Sequence, residues 1–195
     1  MTNVAIKIAI TIAVGVSCGV ALTTKPVLTL RGAVSRITNS DSWITTKGVG
    51  SREADPILRA LISQVGIFAN SSDMAVYFSG YTRSPLKRLR GGTHYRIEGS
   101  NNIPATWWSL TLYDADQFLF ANAENRYSFT NFNVKTDRAG YFEIDVSPER
   151  PQGSQNWLPS PSEGGFTLFL RVYEPGAALR GDLSGYPLPH ITEVR

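Results

Sequence analysis

Apolar residues follow three different rhythms along this chain. Residues 4–22, VAIKIAITIAVGVSCGVAL, are apolar or small throughout except for Lys7. As a helix this run spans about 28 Å at ~1.5 Å per residue, close to the ~30 Å of a bilayer hydrocarbon core. Lys7 lies near one end, where its long side chain can snorkel to the headgroups. The pattern predicts a single transmembrane signal-anchor helix within residues 1–23. A cleaved secretory signal is the first competing reading, although the charged start is thin and no clean A-x-A site follows. A lipoprotein signal ending at Cys18 is the second, and Gly15-Val16-Ser17 lacks the branched aliphatic residue such a site expects three before the Cys. Charge does not orient the span, because the amino terminus and Lys7 are nearly balanced by Lys25, Arg31 and Arg36.

The second rhythm is helical. Residues 24–73 read as a linker with one short strand and one helix. Asp55-Pro56 supplies an N-cap and a first helical residue. Ile57, Leu58, Leu61, Ile62 and Val65 follow at helical spacing, and Gly66 offers a stop. This helix, about 56–66, has one apolar face to bury and is expected to pack on a sheet.

From residue 74 the period becomes two. Residues 74–81, 93–99, 106–114, 117–121, 127–134, 141–147 and 166–174 all read as strands. Phe142, Ile144 and Val146 alternate with Tyr141, Glu143 and Asp145, and Phe166, Leu168, Leu170 and Val172 alternate with Thr167 and Arg171. Many short strands with no helical pattern between them predict an antiparallel β-sandwich over residues 74–195. The composition agrees, with 17 Gly, 11 Pro and 11% aromatic residues, as strands joined by tight turns require.

Charge and cysteine content narrow the chemistry. Nineteen basic and 16 acidic side chains leave a net charge of +3, too small an excess to argue for nucleic acid. One Cys excludes an internal disulfide framework, and with two His no Cys- or His-rich metal centre is expected. No G-x-S-x-G elbow is present and no cofactor motif is found. His94 reads as an edge histidine at a strand start and His190 as a solvated residue of a Pro-rich tail. Asp114-x-Asp116 is better explained by the preference of a hairpin turn for Asp than by a divalent metal. Asp114 with Glu143 or Asp145 would offer a two-carboxylate glycosidase pair, an arrangement that any β protein can produce by chance.

Four blocks carry more information: Asn102-Ile-Pro-Ala-Thr-Trp-Trp-Ser-Leu-Thr-Leu-Tyr-Asp114, Asn125-Arg-Tyr-Ser-Phe-Thr130, Asn156-Trp-Leu-Pro159 and Leu170-Arg-Val-Tyr-Glu-Pro175. In this order, from about Tyr95 to Tyr173, they resemble the bacterial family called domain of unknown function 1214. The resemblance implies a sandwich of jelly-roll type and an exported or envelope protein. In longer members the domain follows a companion, domain of unknown function 1254, whose place here is taken by the membrane segment and a helix. The family supplies no established catalytic residues.

Read physically, Trp107 and Trp108 are adjacent on a strand and must point to opposite faces. One fills the core. The other is either covered by loops or available to stack sugar rings and other flat ligands. Trp157 either anchors its loop or gates a pocket. Arg171 either pairs with a carboxylate across the sheet or, beside Tyr113 or Tyr173, clamps an anionic ligand. With Arg126 these make Trp107, Trp108, Tyr113, Arg126, Trp157, Arg171 and Tyr173 the candidate ligand-binding residues. Arg83, Lys87, Arg88 and Arg90 lie in an acid-free stretch and are candidates for contact with anionic lipid headgroups.

The expectation is a single-pass inner-membrane protein with its β domain in the periplasm. It would act as a binding or assembly module toward an envelope protein or glycan, without catalysis. The alternatives are a carbohydrate- or small-acid-processing enzyme on a jelly roll and an accessory subunit of a larger membrane complex.

Overall fold

A computed structural model of the chain describes residues 2–29, 36–39, 42–52, 54–65, 69–81 and 87–194. It opens with α1 (Thr2–Thr29), longer than the apolar run itself. Within it Val4–Ala21 is the one described segment long and apolar enough to cross a membrane or to act as a signal sequence. All residues of that window are exposed.

The rest is mainly β, in two sheets. The segment read as a linker with one short strand instead holds two strands, β1 (Arg36–Asn39) and β2 (Trp43–Thr46). They are followed by α2 (Pro56–Val65), β3 (Ala75–Gly80), β4 (Leu89–Arg90), β5 (Tyr95–Ser100), β6 (Trp107–Asp114), β7 (Ser128–Thr130), β8 (Tyr141–Ser147), β9 (Trp157–Pro159), β10 (Gly165–Tyr173), α3 (Ala177–Gly181) and β11 (His190–Glu193). The larger sheet runs β1-β2-β3-β10-β6-β7, with β4 also paired to β10. The smaller runs β11-β5-β8-β9. All pairs are antiparallel except β8 with β9, so the smaller sheet is mixed and not the purely antiparallel one that was expected.

Residues at even positions of β10, Phe166, Leu168, Leu170 and Val172, are all buried, and so are Trp108, Leu110 and Leu112 of β6 and Phe142, Ile144 and Val146 of β8. These faces meet in one core. Trp108 packs on Phe142 at 5.5 Å and Tyr95 meets Phe166 edge-on at 5.9 Å, each pair joining the two sheets. At Gly80 the sheets approach so closely that a Cβ would lie 2.9 Å from Ile191 and 3.1 Å from Leu168. The Trp43 indole, fully buried, donates to the Pro189 carbonyl at 2.5 Å and ties β2 to the approach to β11.

The helix and turns follow from local chemistry. The Asp55 carboxylate accepts the N–H groups of Ile57 and Leu58 at 2.8 and 3.0 Å, the expected N-cap of α2. Gly66, the expected stop, lies outside the described residues. Leu58 is buried over Gly48 while Ile57 remains exposed. Asp114 ends β6 as a turn residue, its Oδ1 accepting from the N–H groups of Asp116 and Phe118. The strand expected at 117–121 reduces to one bridge, Tyr113 to Leu119, because Phe118 and Leu119 are exposed and have no core to face. Asn156 is buried and holds the loops together by donating to the carbonyls of Lys135 and Glu143 and accepting the Lys135 N–H. Trp157-Leu-Pro159, expected as a loop, is the edge strand β9. Pro is tolerated there because an edge leaves one side unpaired.

An ionic cluster closes the outer side of the smaller sheet. Asp145 is buried at 6% exposure, and its Oδ1 meets His94 Nε2 at 2.9 Å and Arg96 at 3.3 Å. Arg96 also reaches Glu143 at 3.8 Å. Burial pushes the Asp145 carboxyl up, but hydrogen bonds from Ser154 and His94 and the charge and hydrogen bond of Arg96 outweigh it and leave it below the usual range. His94 is therefore part of this network and not the simple edge histidine expected.

Three variants have expected outcomes when the full-length chain is melted in detergent micelles. A carboxyl with a depressed native pKa adds stability above its unfolded value, about pH 4, and loses it as pH falls through the native value. Asp145→Asn should lower the melting midpoint at neutral pH, by roughly 1–3 kcal/mol of stability, with the gap to wild type closing in acid. Trp108→Ala should cost roughly 3–5 kcal/mol as a core truncation. Trp107→Ala should cost under about 1.5 kcal/mol, the worth of one aromatic pair.

Candidate functional site

The register that buries one face of β10 turns its other residues outward. Phe169 lies beside Thr111 and Ser79, Arg171 beside Ser109 and Tyr77, and Tyr173 beside Trp107 and Ala75. The outer face of the larger sheet therefore carries Tyr77, Trp107, Tyr113, Phe169 and Tyr173 around Arg171, all partly exposed. Between them stand hydroxyl residues. Ser109 and Thr111 are buried beneath the larger side chains, and Ser79, Ser128, Thr130 and Thr167 are partly exposed.

The aromatic rings hold one another in place. Trp107 packs on Tyr173 at 5.0 Å, and Tyr113 meets Phe169 edge-on at 5.6 Å. Tyr77 accepts the Asn70 N–H at 3.0 Å, which fixes its phenol at the margin of the face. The Arg171 guanidinium lies over both Tyr113 and Phe169, at 5.2 and 5.5 Å from the ring centroids, and donates from Nη2 to the Tyr113 hydroxyl at 2.8 Å. Among the described residues no carboxylate takes the cross-sheet place expected beside Arg171. Among the described residues the ion pairs are those of His94, Arg96, Asp145 and Glu143, on the other sheet. Burial pushes the Tyr173 phenol above its ordinary pKa, reinforced by Tyr77 and Tyr113 and opposed by Arg171, so it is neutral at physiological pH.

Four of the candidate ligand residues, Trp107, Tyr113, Arg171 and Tyr173, thus share one face. The other three do not join them. Trp108 is 1% exposed in the core, with its indole N–H donating to Asn101 Oδ1 at 3.1 Å. Trp157 stands on the smaller sheet and donates to the Ser147 carbonyl at 3.0 Å. Arg126 is exposed, 5.0 Å over the Phe129 ring near β7. Tyr77 and Phe169 are the members that the sequence did not single out. Their signal was period-two spacing with Arg171 and with each other's partner strand, visible only once β3 and β10 are paired.

The basic candidates lie elsewhere. Lys87, Arg88 and Arg90 are exposed, and Arg90 pairs with Gly165 at the start of β10, far along the strand from Tyr173. Arg83 lies outside the described residues. The carboxylates and histidine weighed for catalysis are mostly engaged in structure. Asp114 organises a turn, Asp145 joins His94 and Arg96, and Glu174 accepts from the Thr106 hydroxyl at 2.7 Å. Among the described residues no group of His, Cys, Asp and Glu is placed to hold a metal.

Known structures share this architecture. The VPA0106 protein from Vibrio parahaemolyticus superposes with a TM-score of 0.62 at 23% identity, over 88% of this chain and 42% of its own. An uncharacterized protein from Burkholderia cenocepacia gives 0.50 at 14% identity, over 78% of this chain and 35% of its own. This chain therefore spans less than half the length of either, and at these identities the likeness is one of fold. No curated protein matches it. Residues 74–177, which contain β3 to β10 and every residue of the aromatic face, match the model described as protein of unknown function, DUF1214, and the chain belongs to that family.

Proposed function

We propose that the protein is a non-catalytic binding module of the cell envelope. In this reading α1 anchors it in the inner membrane, residues 74–195 form a jelly-roll sandwich on the periplasmic side, and the outer face of the larger sheet takes a glycan of the envelope. The observation that carries the proposal is the chemistry of that face. Aromatic rings at its two ends suit the apolar faces of sugar rings, and the hydroxyl residues between them suit sugar hydroxyls. From Trp107 to Tyr113 the face extends about 20 Å along β6 at ~3.3 Å per residue, long enough for an oligosaccharide.

A membrane anchor suits such a module. Confining the domain near the envelope raises the effective concentration of its ligand, so weak stacking contacts suffice. Lys87, Arg88 and Arg90 would add attraction to anionic headgroups of about 1 kcal/mol per side chain near a charged leaflet. The enzymatic alternative gains little, because Asp114, Asp145 and Glu174 are already bonded to protein groups.

The test is binding of the full-length chain in lipid nanodiscs to a panel of envelope polysaccharide fragments, read by calorimetry and tryptophan fluorescence. Trp107→Ala and Tyr173→Ala should each weaken binding about tenfold or more, while Trp157→Ala and Arg126→Ala leave it unchanged. Absence of binding to every fragment, or equal losses at Trp107 and Trp157 without unfolding, would defeat the proposal.

A further inference from the structure

Arg171 is the feature of the aromatic face that a neutral ligand does not explain. An arginine guanidinium presents five N–H donors in a planar fork. One of these goes to the Tyr113 hydroxyl, and among the described residues no carboxylate or carbonyl takes the others. The group lies over two rings, Tyr113 and Phe169, at 5.2 and 5.5 Å from their centroids, and these contacts with the bond to Tyr113 hold it at the face before any ligand arrives. It is also partly buried in the middle of the sheet, between Ser109 and Tyr77 of the flanking strands. A side chain there for packing alone would be better apolar, since burying a cation without a counter-charge costs stability.

The opposite sheet shows what compensation looks like in this protein. There Arg96 is matched by Asp145 and Glu143. On the ligand face the nearest acid along β10 is Glu174. It lies beyond Tyr173, about 10 Å from Arg171 at ~3.3 Å per residue, and it accepts from Thr106 at the strand end. Among the described residues the positive charge at the centre of the face is therefore unneutralised, and its neighbours are rings and hydroxyls.

We infer that the ligand of this face is an acidic oligosaccharide. A uronic acid carboxylate would be held by the free edge of Arg171 while sugar rings on either side lie along Trp107, Tyr173, Tyr113 and Phe169. A carboxylate and a guanidinium share a planar two-point geometry, which a lysine cannot reproduce. This inference rests on the glycan-binding reading above and adds the class of sugar to it.

The deciding experiment compares an oligogalacturonate with its fully methyl-esterified form, which keeps the same backbone but has no charge. Each is titrated into the full-length protein in nanodiscs. The free acid should bind at least tenfold more tightly than the ester, with the difference shrinking as salt is raised. Arg171→Gln should bring acid and ester to the same affinity, and Arg171→Lys should restore only part of the preference. Equal affinity for acid and ester, or an acid preference that survives in Arg171→Gln, would overturn the assignment of an acidic sugar and leave glycan binding standing. Binding of other envelope glycans but of neither oligomer would overturn that assignment in the same way. If no glycan of any kind binds, both readings fall together.

Discussion

Everything in this protein depends on β10 lying in the middle of the larger sheet with its two sides assigned to different tasks. It pairs with β3 and β4 along one edge and with β6 along the other, so its backbone hydrogen bonds are satisfied within the sheet. Phe166, Leu168, Leu170 and Val172 then enter the core, each at 4% exposure or less. Because the strand period is two, a slip of one residue would send those four into water and drive Arg171 into the core. The apolar face thus fixes the register, and the register alone places Arg171, Phe169 and Tyr173 on the outside.

The two outer faces differ in how they treat charge. On the smaller sheet Arg96, Asp145, Glu143 and His94 answer one another, and Ser154 completes the set around Asp145. That surface is electrostatically closed. On the larger sheet Arg171 stands on aromatic rings with a phenol as its one hydrogen-bond partner among the described residues, and cation–π contact supplies part of what a counter-ion would. Stacking keeps such a charge tolerable but leaves its donors open. This asymmetry, in one domain and on strands of similar pattern, underlies the functional proposal.

Much of this was legible in the sequence because the governing signals are local. The strand of 141–147 alternates cleanly and β8 occupies those residues; Asp55-Pro56 begins α2; and the adjacent Trp107 and Trp108 divide between the two faces as the pleat demands. The elements that escaped are short or lack a rhythm of their own. β9 contains Pro159, β11 follows Pro187 and Pro189, and β1 and β2 hold four residues each, so pairing partners, not propensity, define them. The strand expected at 117–121 failed for the opposite reason, since Phe118 and Leu119 stay exposed and only Phe120 reaches the core. Side-chain pairs distant in sequence were invisible as well. Nothing near His94 announces Asp145, and nothing near Arg171 decides between Tyr113 and an acid as its partner.

The most direct test is a cysteine scan along β10 in a Cys18→Ser background, with single cysteines from position 166 to 173 challenged by a maleimide under native conditions. Alternation is the expected result: rapid labelling at Thr167, Phe169, Arg171 and Tyr173, and protection at Phe166, Leu168, Leu170 and Val172 until denaturant is added. Labelling that is uniform along the segment, or that recurs every three to four residues, would contradict a central strand with one buried and one open side.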